Sequence, residues 1–329
     1  MRLVIVFLAS LLGCWALVTD DMPKKKKETR IHFCDAKAPS SCGAAGQCNE
    51  KRTGNRCECP VGWRGHGCKR PCQDVYKSCT RWKREGRCQW ATRYPWSPFF
   101  EDNCAETCLS CQPQPSNQLD LPLPPLLEGI SWLVGRWEAN SVSGARFPTP
   151  MKGPYSEVMD IMVTGVPMFD RPPLNVSITA TLESSGEVHR DYGFVVGKPF
   201  NVDTGFVTKQ AEEGHDLVSW ILNSNTGMNT LEEGVMAGTE IRMQSNFSHP
   251  FPGTEERDFD MAERSFRLLT SGQLEEKGAL EMKSGQRHEY IKIFSKTKDY
   301  LDPDDEDNRK PMPPQSNEDE DEEESSGTI

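Results

Sequence analysis

The stretch NVSITATL, residues 175–182, alternates polar and apolar side chains without a break. Val176, Ile178, Ala180 and Leu182 share one face, which is the period-two pattern of a half-buried strand. The same texture recurs outward from it, between Leu127 and about Lys298. Residues 240–244 alternate around Ile241 and Met243, and residues 265–268 around Phe266 and Leu268. Asn225-Thr226-Gly227 and Ala237-Gly238-Thr239 punctuate these runs as turns. No long amphipathic helix interrupts them. Many short strands with close turns predict an antiparallel barrel or sandwich.

Upstream the composition changes. All thirteen cysteines lie between Cys14 and Cys111. Cys14 sits in an apolar run, residues 3–18, that follows Arg2 and precedes Thr19, Asp20 and Asp21. That is the layout of a secretory signal, with cleavage after Ala16. A bilayer span wants about 20 residues, so residues 1–18 read as a signal peptide, with a short uncleaved anchor as the alternative. The other twelve cysteines are dense and even in number. They predict a disulfide framework, which persists in an oxidising compartment. The chain is therefore expected to be secreted, or membrane-anchored in the type II sense with its modules outside. Residues 19–33 are a lysine-rich lead-in, expected to be flexible. Residues 112–126 (QPQPSNQLDLPLPPL) are a proline-rich, extended linker.

The net charge of −11 is unevenly spread. From Asp302 onward twelve acidic residues face only Arg309 and Lys310, a balance of −10, so the rest of the chain carries −1. The acidity belongs to residues 299–329, which are too poor in apolar groups to bury a core and are expected to be disordered. No basic footprint supports nucleic-acid binding.

In the first cysteine module the order is Cys34, Cys42, Cys48, Cys57, Cys59 and Cys68, ending CECPVGWRGHGC. Gly62, Trp63 and Gly65 complete a close resemblance to the EGF-like module, assigned to residues 34–68. Six cysteines allow fifteen pairings; the resemblance implies Cys34–Cys48, Cys42–Cys57 and Cys59–Cys68. The positions where calcium-binding members carry carboxylates read Ile31, His32 and Phe33, so no metal is expected.

The second module, residues 72–111, contains CQDVYKSCTRWKREGRC and ends CAETCLSC. With Asp74, Trp82 and Gly86 it resembles the ShKT module. The implied pairing is Cys72–Cys111, Cys79–Cys104 and Cys88–Cys108. Toxin members of that family plug a potassium channel with a Lys-Tyr pair. Arg93 and Tyr94 stand there in this chain, and the wide guanidinium fork is a poorer plug than a compact ammonium.

Residues 127–298 resemble the nitrobindin-like haem-binding barrels, relatives of the fatty-acid-binding architecture. The residues that carry the likeness are Gly135 and Trp137 in ISWLVGRW, then Phe147-Pro148-Thr149, YSEVMDI, NTGMNTLEEGVMAGTEI and RSFRL. The family holds its haem iron through one histidine near the last strand, and the candidate here is His288. A neutral imidazole is a standard haem ligand. Strand parity puts Ile291 and Ile293 on one face and His288, Tyr290, Lys292 and Phe294 on the other. If the isoleucines point inward, His288 points to solvent. With haem bound, the resemblance implies nitric-oxide or peroxynitrite chemistry.

The remaining histidines, His32, His66, His189, His215 and His249, have no metal-ligand spacing. No nucleophile elbow, phosphate loop or dinucleotide fingerprint is present. Asn175 with Ser177 and Asn246 with Ser248 form glycosylation sequons. The whole reads as a mainly β, multidomain protein: two small disulfide-rich modules, an antiparallel β-barrel and a disordered acidic tail. Its expected role is non-catalytic interaction with extracellular or cell-surface proteins, at a body-surface or matrix site of morphogenesis, without a cofactor. No catalytic residue is nominated. The alternatives are haem or a small apolar ligand in the barrel, and channel modulation through Arg93 and Tyr94. Membrane contact is expected only if residues 1–18 remain as an anchor.

Overall fold

The computed structural model describes residues 34, 42–43, 46–50, 55–89, 99–142, 145–165, 172–197, 216–253 and 258–311. The apolar run read as a signal peptide or anchor, the lysine-rich lead-in, Arg93, Tyr94 and the run beyond residue 311 lie outside these. Among the described residues no helix is long and apolar enough to cross a membrane.

The first cysteine module forms two small ladders. β1 (Gln47–Asn49) pairs with β2 (Arg56–Glu58), and β3 (Trp63–Arg64) with β4 (Arg70–Pro71). Its disulfides join Cys34 to Cys48, Cys42 to Cys57 and Cys59 to Cys68. So small a unit depends on its cross-links, each contributing roughly 2–4 kcal/mol by restricting the unfolded chain. The second module carries α1 (Cys79–Arg84) and α2 (Phe99–Asn103). Between them Tyr76, Trp82, Phe99 and Phe100 pack with ring centroids 5.3–6.3 Å apart, edge to face except for the tilted Tyr76–Phe99 pair. Cys72–Cys111, Cys79–Cys104 and Cys88–Cys108 close this module. Asp74 takes hydrogen bonds from the Thr107 backbone N–H (3.0 Å) and hydroxyl.

The barrel is a ten-strand antiparallel meander. Its strands are β5 (Gly135–Val142), β6 (Tyr155–Val163), β7 (Leu174–Leu182), β8 (Val188–Gly197) and β9 (Asp216–Ser224). They continue with β10 (Met228–Ala237), β11 (Glu240–Pro250), β12 (Phe259–Leu268), β13 (Leu274–Met282) and β14 (Arg287–Lys298). β14 returns to β5 and closes the ring. The alternation in NVSITATL is realised in full: every second residue of β7 is buried, beginning with Leu174. Gly238, at φ 58°, turns β10 into β11 in a conformation costly for any residue with a Cβ. Trp137, Trp220, Phe266 and Phe294 are fully buried inside. Burying each such side chain is worth about 1.5–3 kcal/mol, and this packing must hold a domain that has no cysteine.

Two segments stopper the barrel. At the end where β5 begins, a 3-10 turn, Pro125–Leu133, buries Leu127, Ile130 and Leu133. At the other end residues 145–151 fold inward, and Phe147 packs on Phe259 with centroids 5.8 Å apart.

The composition boundaries are softer than the sequence predicts. The proline-rich stretch, expected to be an extended linker, includes a 3-10 turn at Pro115–Asn117, and it is docked. Gln73 and Leu119 exchange buried hydrogen bonds of 2.8 and 2.7 Å. Residues 299–311, expected within the disordered tail, fold back onto the barrel. Tyr300 and Leu301 pack against the core, and the Tyr300 hydroxyl donates to Asp160 (2.5 Å). The Asn308 carbonyl accepts from Asp120 N–H (2.8 Å), and Gln118 accepts from Lys310 N–H (3.1 Å). Two apolar side chains and a set of backbone hydrogen bonds outweigh the acidic composition of this short piece.

Candidate functional site

β14 carries the site and also corrects the facing of its own side chains. Ile291 and Ile293 stand outward, 62% and 41% exposed, whereas Tyr290, Lys292 and Phe294 are buried. His288 therefore shares the inward face, the reverse of the arrangement in which the isoleucines line the interior. The reason is electrostatic. Lys292 Nζ lies 3.0 Å from Glu157 Oε1 and 3.1 Å from Glu276 Oε2. A buried ammonium survives only when paired in this way.

Those pairs belong to a chain of ions that crosses the interior. Asp191 accepts from Arg146, whose Nε reaches Glu157 at 3.1 Å. Glu157 meets Lys292, and Lys292 meets Glu276. Arg264 continues to Glu276 (3.3 Å) and ends on Glu232 through bonds of 2.8 and 2.5 Å. Four carboxylates and three cations are thus linked, each at most 3% exposed. The Arg264 guanidinium also lies over Phe147, 4.3 Å from the ring centroid, and over Trp220 and Phe266 at 5.1 Å. Such cation–aromatic contacts stabilise a desolvated charge.

The titration of these groups follows from burial and neighbours. Burial works to lower the Arg264 pKa, but Glu232 and Glu276 overcome it and hold the group above its ordinary value. Burial works to raise Glu276, but Lys292 and Arg264 prevail and its carboxyl falls below the usual range. At Glu232 burial wins over Arg264, and the carboxyl is raised. Tyr290 donates to Glu276 (2.8 Å) and is pushed far up, chiefly by burial. Its ring covers Gly278, where a Cβ would come within 2.3 Å of the Tyr290 Cζ.

Above this ionic floor the wall is apolar. His288 pairs with Leu280, and Leu280 with Ala262, both fully buried, while Met282 and Phe259 form the next pair toward the mouth. His288 is half-buried and makes no hydrogen bond among the described residues. The ladder between β14 and β5 is confined to Ser295–Glu138, Lys296–Trp137 and Lys298–Arg136. Among the described residues, 287–294 thus pair on one side only, with β13. On β8, four strands round the barrel, His189 faces inward at the same end. Its Nε2 meets Glu187 (2.9 Å), and its Nδ1 is buried without a partner, as are Arg146 Nη1 and Asp191 Oδ1.

A haem needs an imidazole with a free nitrogen and an apolar surface for its ring. The donor type, the inward face and the Leu280–Ala262 wall meet both needs. The mouth between these walls is filled by residues 145–151, so room for a porphyrin depends on that segment.

The other sequence candidates lie apart. His249 is exposed on β11 and His66 is exposed beside β3, whereas His32 and His215 fall outside the described residues. Asn175 projects outward from β7, and Asn246 lies on β11. Cys34, Cys42 and Cys48 bring their sulfurs within 4.8 Å of one another, but all three are in disulfides and offer no thiolate to a metal. The ion chain is absent from the sequence reading. One signal for it was available: in YSEVMDI, Glu157 falls on the same face as Tyr155, Met159 and Ile161, a charge on an otherwise apolar face.

Comparison with known proteins bears on both parts of the chain. Residues 71–111 match the ShK domain-like family, so a ShK-like domain is present. Residues 126–293 match the family described as THAP4-like, heme-binding beta-barrel domain. The peroxynitrite isomerase THAP4 of Mus musculus is 30% identical over 155 residues, covering 47% of this chain and 24% of that protein. The Homo sapiens counterpart is 28% identical, over 46% of this chain and 23% of that protein. The uncharacterized protein C28H8.5 of Caenorhabditis elegans is 25% identical, over 44% of this chain and 47% of that one. This chain thus spans about a quarter of the length of the mammalian relatives it matches. A solved structure, Rv2717c from M. tuberculosis, aligns with TM-score 0.39 and 17% identity, covering 53% of this chain and 99% of that one.

Proposed function

This chain belongs to the family of THAP4-like, heme-binding β-barrel domains, and we propose that its barrel binds haem through His288 at the mouth. The observation that carries this is the inward-facing imidazole beside an apolar wall, free of hydrogen bonds among the described residues, on a stretch of β14 that among them pairs only with β13. Leu280, Ala262 and Met282 would meet the porphyrin face, and the ion chain below would close the barrel to anything deeper. Bound haem would supply a ferric centre for the peroxynitrite chemistry named in the mammalian relatives. Residues 145–151 must yield for it to enter. The protein as a whole is read as extracellular. An EGF-like module (34–68) and the ShK-like domain (71–111) sit ahead of the barrel as recognition modules for cell-surface or matrix proteins.

Hemin added to the purified protein should give a Soret band that saturates at one equivalent, and His288→Ala should abolish the saturable step. A protein that leaves the hemin spectrum unchanged would overturn the reading.

A second reading is favoured by the closed mouth and by an ion chain in which every charged group has an opposite-charge partner. In it the barrel is a cofactor-free platform and the whole chain serves protein–protein interaction without catalysis. The same titration separates the two.

A further inference from the structure

The outer surface of the barrel carries an apolar row that crosses four strands in register. Phe194 on β8 stands opposite Ile221 on β9, Ile221 opposite Leu231 on β10, and Leu231 opposite Phe247 on β11. Phe194, Ile221 and Phe247 are 47%, 42% and 52% exposed, and Tyr192 beside them is 55% exposed. Directly paired side chains lie about 4.5–5.5 Å apart at Cβ, so these groups form one continuous strip. Contiguous apolar surface of this kind on a secreted chain is covered by something or promotes association.

The next residue along the row is Asn175, which stands opposite Phe194. Asn175 and Ser177 both project outward from β7, and they form the acceptor sequence Asn-Val-Ser. The Asn175 amide makes no hydrogen bond among the described residues. We infer that Asn175 carries an N-linked glycan whose first sugars lie on Phe194 and Ile221 and cover the strip. In the modification, Asn175 Nδ2 displaces the lipid diphosphate from the anomeric carbon of a lipid-linked oligosaccharide and gives up one proton. No electrons change hands. The C–H faces of the proximal sugars then pack on the aromatic ring, while their hydroxyls keep the surface wet. This inference is independent of what the barrel mouth binds.

The test uses the full chain secreted from a eukaryotic host. Site-resolved mass spectrometry should find the glycan on the peptide containing Asn175. Treatment of the folded protein with a peptide-N-glycosidase, which removes the whole glycan, should then raise the fluorescence of an apolar dye and shift the protein to an earlier elution volume. Asn175→Gln and Ser177→Ala should reproduce both changes, and adding Phe194→Ser should reverse them. An unmodified Asn175 overturns the inference. So does a glycan whose removal changes neither dye binding nor elution, because another segment or a second copy then covers the strip. If Asn175→Gln fails to be secreted, the enzymatic arm on folded protein still decides.

Discussion

At the scale of single residues, Lys292 and its two carboxylate partners decide which face of β14 points inward. In β14 the isoleucines look like core and the lysine like surface, yet the lysine is inside because two carboxylates await it there. Sequence alternation reveals that two faces exist, but in RHEYIKIF it cannot rank a paired charge against a branched aliphatic. The partners, Glu157 and Glu276, are 135 and 16 positions away, and nothing local announces them. Arg264 holds the far end of the same chain of ions. Arg264→Ala leaves Glu232 uncompensated and should cost about 3–5 kcal/mol in urea unfolding. Adding Glu232→Gln should recover part of that loss. His288 differs: it is half-buried and partner-free, so His288→Ala should change stability by about 1 kcal/mol or less.

Among elements, the strands were the most legible part of the chain. The alternation over residues 175–182 is β7, and the turns at Gly227 and Gly238 separate β9 from β10 and β10 from β11. What alternation could not give is closure, because the β14–β5 ladder joins residues far apart in sequence. The docking of residues 299–311 was equally hidden, since it rests on Tyr300, Leu301 and backbone bonds rather than on a run of apolar residues. Of the candidate site only His288 is legible in the sequence, through family likeness and not through periodicity. The β12–β13–β14 wall also makes a statement about pH. Glu276 titrates below its ordinary range in the folded barrel. A lowered carboxyl contributes stability above its unfolded pKa, about 4.3, and loses it as pH falls toward the folded value. Glu232, raised by burial, works in the opposite sense. The melting-temperature gap between wild type and Glu276→Gln should therefore be widest near neutral pH and should shrink below about pH 4.3. A gap that stays constant down to pH 3 would contradict this account.

Over the whole molecule, two modes of stabilisation meet at one junction. The cysteine modules depend on cross-links, and the barrel depends on packing. Glu128, in the stopper turn, accepts from Gly67 N–H (3.0 Å) and from Arg70 (3.3 Å), and so joins the barrel to the first module. Arg64 reaches Asp102 (2.8 Å) and joins that module to the second. Reduction should open the cysteine modules to protease while the β-sheet circular dichroism of residues 127–298 persists. Loss of both signals together would mean that the barrel leans on the modules for its fold. Glu128→Ala should loosen the junction and expose residues 112–126 to limited proteolysis without lowering the barrel's own melting temperature.

The central claim is that the mouth beside His288 takes haem, and a hemin titration of the full-length protein followed by absorption tests it most directly. A Soret band that saturates at one equivalent, and fails to do so in a folded His288→Ala variant, is the expected result. A spectrum of free hemin at every ratio would contradict the claim and leave the barrel as a cofactor-free platform.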